Sequence, residues 1–381
     1  MSKKAKVLLL TNYRKDKQRS MLRFGELISS GLSSASIELN EIFPEPRLLP
    51  LTPSSPLKKW AGYVDKYMIF SRRLTKFLNN PKTRPDLLHV IDHSNAVYMN
   101  RVHDNSKTKR LLTCHDLIAL RMSKNEFPDA PRVSKTGKKL QNWIYKSLRN
   151  ADAFACDSSF TEKDLNRIIP QSKGKSEVIH LGVPPKAIAQ SRESELPFDP
   201  FSTKYLLHVG SSAWYKNRKA VLTAFSHLLQ NSSQQNVNLV FVGPRLQEEE
   251  LTDETKTWME SNKSRVFILN HVDEPDLHKL YQHARAFVFP SFVEGFGWPP
   301  LEANAMGCPV ITTRTGAIAD ILRNSATYVD PADQREINQA LLNAMNKEPL
   351  PQSSSAAIPT IEDCVGNYAS LYVQTINNSH A

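Results

Sequence analysis

The chain has 381 residues, 40% of them hydrophobic, with a formal net charge of +11. That is too long for one ordinary core and apolar enough for globular packing, so two domains are expected and no long stretch reads as disordered. The charge is uneven: residues 1–190 carry 34 Lys and Arg against 17 Asp and Glu (+17), and residues 191–381 carry 15 against 21 (−6). An anionic partner (lipid headgroups, a phosphorylated acceptor or nucleic acid) would therefore meet the first half, unless the excess serves only solubility.

In chain order, "MSKKAKVLLLTNY" opens with basic residues and a short apolar run. Val7 to Leu10 is too short for a signal-peptide core and Asn12 ends it, so a buried first strand is expected. No apolar run reaches the roughly 18 residues of a membrane span. "SMLRFGELISSGL" carries apolar residues at helical spacing, Leu22, Leu27, Ile28 and Leu32. "LLHVIDHS" and "RLLTCHDL" read as strands ending in polar residues, "TGKKLQNWIYKSLRNA" as a basic amphipathic helix, and "ADAFACDSS" as a strand. The serines of "SSFTEKDLNRII" suit a helix cap, and "SEVIHLGV" is another strand. Continuous apolar strands alternating with helices predict a parallel sheet covered on both faces.

From Pro184 to about Lys204 the pattern gives way to a Pro-, Ser- and charge-rich linker. It restarts with "YLLHVG", "RKAVLTAFSHLLQ", "VNLVFVGP", "TDETKTWMESN", "RVFILN", "EPDLHKLYQHA", "AFVFPS" and "PVITTR", a second doubly wound unit. A last amphipathic helix follows in "EDCVGNYASLYVQTI". Two α/β halves joined by a linker predict a ligand cleft between them. The cysteines (Cys114, Cys156, Cys308, Cys364) are far apart, form no C-x-x-C pair and read as reduced structural thiols, with no metal cluster.

Two loops follow strands in the second half. "YLLHVG" ends at Gly210 and is followed by "SSAWYKNRKAVL", where Lys216 precedes a helix. Backbone N–H groups and the helix dipole attract phosphate there, although a lone lysine before a helix is usually just a solvated side chain and no P-loop is present. "AFVFP" leads into "SFVEGFGWPPLEANAMG". Pro299 or Pro300 suits the first helical turn, Gly307 a C-terminal stop, and Glu302 is expected in the first turn. Glu294 and Glu302 are acceptors that can grip vicinal hydroxyls, or Glu302 merely complements the helix dipole. His115 in "TCHDL", and Asp92 with His93 in "VIDHS", end strands of the first half and are expected to face the cleft; the alternative for His115 is a satisfied core histidine with Asp116 as a local cap.

Taken together, "VG…KN…AF", "FVG" and "HVDEPDLHKLYQHARAFVFPSFVEGFGWPPLEANAMGCPVITTRTGAIAD" resemble the nucleotide-sugar domain of retaining GT-B glycosyltransferases, most closely family 4, glycosyl transferases group 1. The strong match covers about residues 204–330, and Glu294 and Glu302 match the family's E-x7-E motif. The resemblance implies an α/β GT-B fold with an acceptor-binding Rossmann-like domain over 1–190, a nucleotide-sugar domain over 191–357 and a helix over 358–381 crossing back to the first domain. It implies catalytic roles for His115, near the donor sugar, and Glu294, on the sugar hydroxyls. Gly210, Ser211, Lys216, Asn217, Val272, Gly295, Phe296, Gly297 and Glu302 would line the donor: Lys216 on the diphosphate, Glu302 on the ribose, Val272 at the base. Ser211 and Ser212 stand where members often carry arginine, which leaves more of the phosphate to Lys216. The first loop, "TNYRKDKQRSMLRFG", is not glycine-rich as in the family; Arg14, Lys15 and Arg19, with Asp92 and His93, are assigned to the acceptor side.

The function implied is transfer of a sugar from a nucleoside diphosphate donor to a glycan, lipid-linked or other anionic acceptor in polysaccharide or glycoconjugate biosynthesis. Uridine diphosphate is the default nucleotide and guanosine diphosphate-mannose the next. No cofactor or metal is expected, because Lys216 and helix N–H groups can meet the leaving-group charge. A cytoplasmic protein is expected, with peripheral contact to an anionic inner membrane face through the basic half, and no nucleic acid. The alternatives are a GT-B nucleotide-sugar epimerase and a basic nucleic-acid-binding protein with a degenerate sugar site, whose binding would depend strongly on salt.

Overall fold

A computed structural model describes residues 4–16, 18–32, 37–51, 55–103, 106–183, 196–231, 236–346 and 358–378. Most of the expected linker (residues 184–195) and the start of the tail lie outside the described residues. The chain divides into two compact units: residues 1–128, 132–181 and 361–381, and residues 129–131 and 182–360. The last helix thus belongs with the first unit.

In the first unit the strands are β1 (Ala5–Leu10), β2 (Ile37–Ile42), β3 (Leu87–Val90), β4 (Lys109–Cys114), β5 (Ala153–Cys156) and β6 (Ser176–Val178). They form one parallel sheet in the order β2-β1-β3-β4-β5-β6. All of β3 and β5 and the last four residues of β1 and β4 are buried, as a sheet covered on both faces requires. The helices are α1 (Arg19–Gly31), α2 (Ser55–Val64), α3 (Ser71–Asn79), α4 (Ile118–Ser123), α5 (Lys135–Leu148) and α6 (Ser159–Ile168), with a π-helical segment, Asp65–Phe70, between α2 and α3. Ser158 caps α6 by accepting the Thr161 N–H, which is the role its position predicts.

The second unit repeats the plan with β7 (Lys204–Val209), β8 (Val237–Val242), β9 (Val266–Leu269), β10 (Ala286–Phe289), β11 (Val310–Thr312) and β12 (Thr327–Tyr328). Its parallel order is β12-β11-β10-β7-β8-β9. Around it lie α7 (Arg218–Asn231), α8 (Asp253–Ser261), α9 (Glu274–His283), α10 (Trp298–Ala305), α11 (Ile318–Leu322) and α12 (Gln334–Asn346). The crossover from β9 through α9 makes β10 the neighbour of β7, so the loops after those two strands meet at one sheet edge. The final helix, α13 (Ile361–Asn377), buries Tyr368 and Tyr372 in the first unit, where the Tyr372 hydroxyl meets His89 Nδ1 at 2.7 Å. All four cysteines are buried and free. Among the described residues no helix is long and apolar enough to cross a membrane.

Candidate active site

The loop leaving β7 starts at Gly210, whose N–H is donated to the Val242 carbonyl at the end of β8. Ser211 and Ser212 are exposed. A 3-10 turn, Trp214–Lys216, then delivers the chain to Asn217 in the left-handed region (φ 52°). From there the Asn217 amide nitrogen donates to the carbonyls of Pro290 (3.1 Å) and Pro331 (2.9 Å). Phe292 N–H donates to the Tyr215 carbonyl at 2.8 Å. These bonds stitch the β7 loop to the β10 loop and fix where Lys216 stands. Its Nζ lies 2.8 and 2.9 Å from the two carboxylate oxygens of Glu294. The pair is largely out of water, at 13% and 7% side-chain exposure, and Lys216 Nζ also sits 4.8 Å from the centre of the Phe289 ring.

Glu294 is held by its own backbone as well. Its N–H donates to Thr315 Oγ1 at 3.1 Å, from the loop after β11. That loop turns at Gly316 with φ +60°, where a Cβ would fall 2.6 Å from the Gly295 carbonyl oxygen. Gly316→Ala is therefore expected to push the Glu294 loop outward and cost about 1–3 kcal/mol. Denaturation together with kcat/KM reads the effect, and wild-type values for both would show that the loop tolerates the displacement.

Gly297 (φ +84°) caps α10 with the left-handed backbone that a glycine allows, and Pro299 lies in the first turn. The helix starts at Trp298, so Glu302 falls in the second turn rather than the first, beyond the free N–H groups it was expected to complement. What holds it is tertiary: Tyr281 Oη on α9 donates to Glu302 Oε2 at 3.2 Å, and both side chains are buried. Gly307, with φ +87°, follows the C-terminus of α10 as expected. Phe296 is buried beside Trp298, whose indole N–H donates to the Gly182 carbonyl. Val272 is half-buried in the loop between β9 and α9.

Several contributors were not read from the sequence. Tyr281, Thr315 and Gly316 sit inside the segment that carried the resemblance, but their roles come from contacts 21 residues away along the chain. Arg218, the first residue of α7, is 1% exposed. It donates from Nη2 to the Pro244 carbonyl at 2.8 Å and lies 3.3 Å from Glu250, while Nη1 is buried with no hydrogen-bond partner. A cavity of about 420 Å³ includes Phe292 and Thr315 in its wall. Its carboxylates are spent on backbone, Glu336 accepting the Asp330 N–H and Asp330 the Ala332 N–H.

In the first unit the strand ends β1, β3, β4 and β5 gather a second polar group. Asn12 Nδ2 donates to Asp92 Oδ2 and to Gln18 Oε1, both at 2.6 Å, and Asn95 donates to Asn12 Oδ1 at 3.0 Å. His93 is buried, with Nδ1 3.4 Å from Asp92 Oδ1. His115 Nδ1 lies 2.6 Å from Asp157 Oδ2 and Nε2 lies 2.8 Å from the Ile91 carbonyl. Two acceptors on two ring nitrogens require both to carry protons, so the ring is an imidazolium. Burial opposes that charge, but Asp157, then Asp92 and the Ile91 carbonyl, outweigh it and raise the pKa to about 9. Burial pushes Asp157 up from its ordinary value, with His115 holding it back. Asp92 ends below its ordinary value because His93, His115 and Asn12 overcome its burial. His115, expected as a catalytic group, thus has no ring nitrogen left for a substrate in this arrangement. Arg14 and Lys15 are exposed on the 3-10 turn after β1 and Arg19 is exposed at the start of α1; Arg14 lies over the Phe43 ring.

Two parallel doubly wound units, the second with acid and lysine loops meeting at one sheet edge, define the GT-B class of glycosyltransferases. The solved structures agree on the fold: a sucrose-phosphate synthase from Thermosynechococcus elongatus superposes with TM-score 0.73 at 18% identity over 99% of this chain and 100% of that one. The UDP-forming α,α-trehalose-phosphate synthase of Burkholderia vietnamiensis gives 0.67 at 13%, over 100% and 99%. Residues 195–359 match the family described as glycosyl transferases group 1, and residues 38–187 match glycosyltransferase family 4. The chain is 30% identical over 309 residues to the O-antigen chain mannosyltransferase RfbU of Salmonella typhimurium, covering 79% of this chain and 74% of that protein. Against O-antigen chain mannosyltransferase B of Escherichia coli it is 25% identical over 217 residues, about half (55%) of each. This chain belongs to the family 4 glycosyltransferases, glycosyl transferases group 1.

Proposed function

We propose that the enzyme transfers mannose from guanosine diphosphate-mannose to a hydroxyl of a growing surface glycan, with retention at the anomeric carbon. The observation that carries this reading is the Lys216–Glu294 pair at the meeting of the β7 and β10 loops, with Glu302 on the following helix. The relatives named mannosyltransferases favour mannose over the glucose donors that uridine diphosphate would suggest. Lys216 and the N–H groups opening α7 receive the diphosphate. When the donor's phosphate reaches Lys216, Glu294 is released to accept sugar hydroxyls, while Tyr281 keeps Glu302 oriented for the ribose. The bond from C1 to the diphosphate breaks, with its electron pair leaving on the diphosphate. The acceptor oxygen bonds to the same face of C1 and its proton departs with the leaving group. Lys216 and the helix N–H groups stabilise the charge that develops on the diphosphate. His115 is a positioning residue here: it ties Asp157 and the Ile91 carbonyl at the strand ends that carry Asp92 and His93 on the acceptor side.

A thermal-shift panel of nucleoside diphosphates and their sugars tests this. Guanosine diphosphate and its mannose conjugate are expected to stabilise the protein, by roughly 2.7 kcal/mol at a hundredfold excess over Kd. Stabilisation by uridine diphosphate alone would reassign the donor, and no shift with any nucleotide would remove the donor site. Incubating donor without acceptor separates transfer from epimerisation: an epimerised nucleotide sugar would point to the GT-B epimerase.

A further inference from the structure

The first unit carries a surface that the donor chemistry does not use. Helices α2 and α3 and the π-helical segment between them bury Phe70, Leu74 and Leu78 against the sheet. Their outward side ought to be polar. Instead Leu57 is 57% exposed, Trp60 64% and Met68 51%. Trp60 begins a continuous aromatic row: its ring lies 6.0 Å from Tyr63, Tyr63 lies 5.8 Å from Tyr67, and Tyr67 lies 5.3 Å from Trp143 on α5, itself exposed. Tyr63 and Tyr67 are half-buried, with Tyr67 packed against the core, while Trp60 and Trp143 at the two ends of the row are exposed together with Leu57 and Met68, a grouping that marks an interaction surface rather than scattered exposure.

The charge around the row is one-sided. Ser55 to Asn79 holds six Lys and Arg (Lys58, Lys59, Lys66, Arg72, Arg73, Lys76) against one carboxylate, Asp65. Asp65 is buried and consumed: it accepts the N–H groups of Arg47, Leu48 and Leu49 and the Tyr13 hydroxyl. Lys135 to Arg149, on the Trp143 side, holds five basic residues and no acid. Lys66 lies within 6 Å of the Tyr63 and Tyr67 ring centres and pairs with Asp16. Lys58 and Lys59 are exposed and form no ion pair among the described residues.

We propose that this face, centred on Leu57, Trp60 and Met68 and rimmed by the α2, α3 and α5 lysines, docks on an anionic lipid bilayer. The chemistry fits that occupant on two counts. Trp and Tyr have an apolar body and a polar edge, which suits the headgroup region, and Leu57 and Met68 supply the apolar wedge. Exposed lysines draw the face to anionic headgroups, with a pull that weakens as salt rises. A neutral glycan would use the aromatic row but would have no need of the basic residues on α2, the π-helical segment, α3 and α5, of which Lys66 and Arg73 pair with Asp16 and Glu45 while Lys58 and Lys59 stand exposed.

The test is co-sedimentation of the full chain with vesicles of equal parts phosphatidylcholine and phosphatidylglycerol, and with phosphatidylcholine alone. Binding to the anionic vesicles, weak binding to the neutral ones, and loss at high salt are expected. Lys58→Gln/Lys59→Gln should weaken binding to the anionic vesicles roughly thirtyfold, at about fivefold per basic residue. Leu57→Ser/Trp60→Ser/Met68→Ser should weaken it at least tenfold. These side chains are exposed, so the variants are expected to keep the wild-type unfolding curve and nucleotide-induced thermal shift, whatever the donor proves to be. Failure of the wild type to bind anionic vesicles, or equal binding by the triple variant, overturns the proposal. Quenching of Trp60 fluorescence by soluble oligosaccharide without vesicle binding would assign the face to a glycan instead.

Discussion

Lys216→Ala is expected to destabilise the second unit by about 3 kcal/mol or more, because it strands the Glu294 carboxylate where water is largely excluded. Both oxygens of that carboxylate rest on Lys216 Nζ. For a unit of this size the cost corresponds to a fall in Tm of roughly 6–12 °C. Glu294→Gln should also destabilise, leaving the ammonium without its counter-charge. Lys216→Met/Glu294→Gln, in which both charges are gone, should recover most of the loss, since a buried pair replaced whole is close to neutral. All three variants should lose turnover. If the double variant is stable and inactive, the pair serves the reaction and its stability role is separable. If it is stable and fully active, neither residue belongs to the donor site. A Lys216→Ala protein with wild-type stability would mean that water reaches Glu294 freely.

The first unit should lose stability as pH rises toward 9. His115 is the cause, its pKa raised to about 9 by Asp157, Asp92 and the Ile91 carbonyl against the opposing effect of burial. A group whose folded pKa lies above its unfolded value of about 6.5 contributes its full stability below the unfolded pKa. That contribution, on the order of 3 kcal/mol, is lost as pH climbs from about 6.5 through about 9. Denaturation at a series of pH values reads it directly. Asp157→Asn removes the counter-charge and leaves burial to dominate, so the slope over this window should flatten and the imidazole signal in NMR should titrate well below pH 9. An unchanged slope would remove His115 as its source. His89 gives an internal contrast of opposite sign: burial drives its pKa down to about 3, so its stability term is gained as pH rises from about 3 to its unfolded value of about 6.5 and is flat well above that.

The resemblance and the strand pattern made most of the fold legible. Apolar runs such as "VLLL" and "AFVF" are buried on both faces, as parallel strands demand. What escaped was β2, "IELNEI", an edge strand in which exposed Glu38, Asn40 and Glu41 break up the apolar residues, so that no apolar run announces it. In α2 and the π-helical segment Leu57, Trp60 and Met68 face water, which blurs the periodicity that marks an amphipathic helix; α3 keeps it, with Leu74 and Leu78 buried and Arg72, Arg73 and Lys76 exposed. Glu302 lies one turn further into its helix than the proline pair implied. The left-handed Gly297 sets the start at Trp298 and moves the acid into the second turn.

The sequence by itself determined that Lys216 and Glu294 lie on loops after parallel strands, and Glu302 on the helix that follows, because apolar runs, prolines and glycines constrain the backbone locally. It also located His115 and Asp92 at strand ends. Only the tertiary structure decided what those groups touch. Lys216 meets Glu294 across 78 residues because the strand order sets β7 beside β10, and His115 meets Asp157 across 42 because β4 adjoins β5. Protonation follows from such partners rather than from residue type, so whether His115 is an available base or a closed ion pair depends on neighbours that local pattern does not specify.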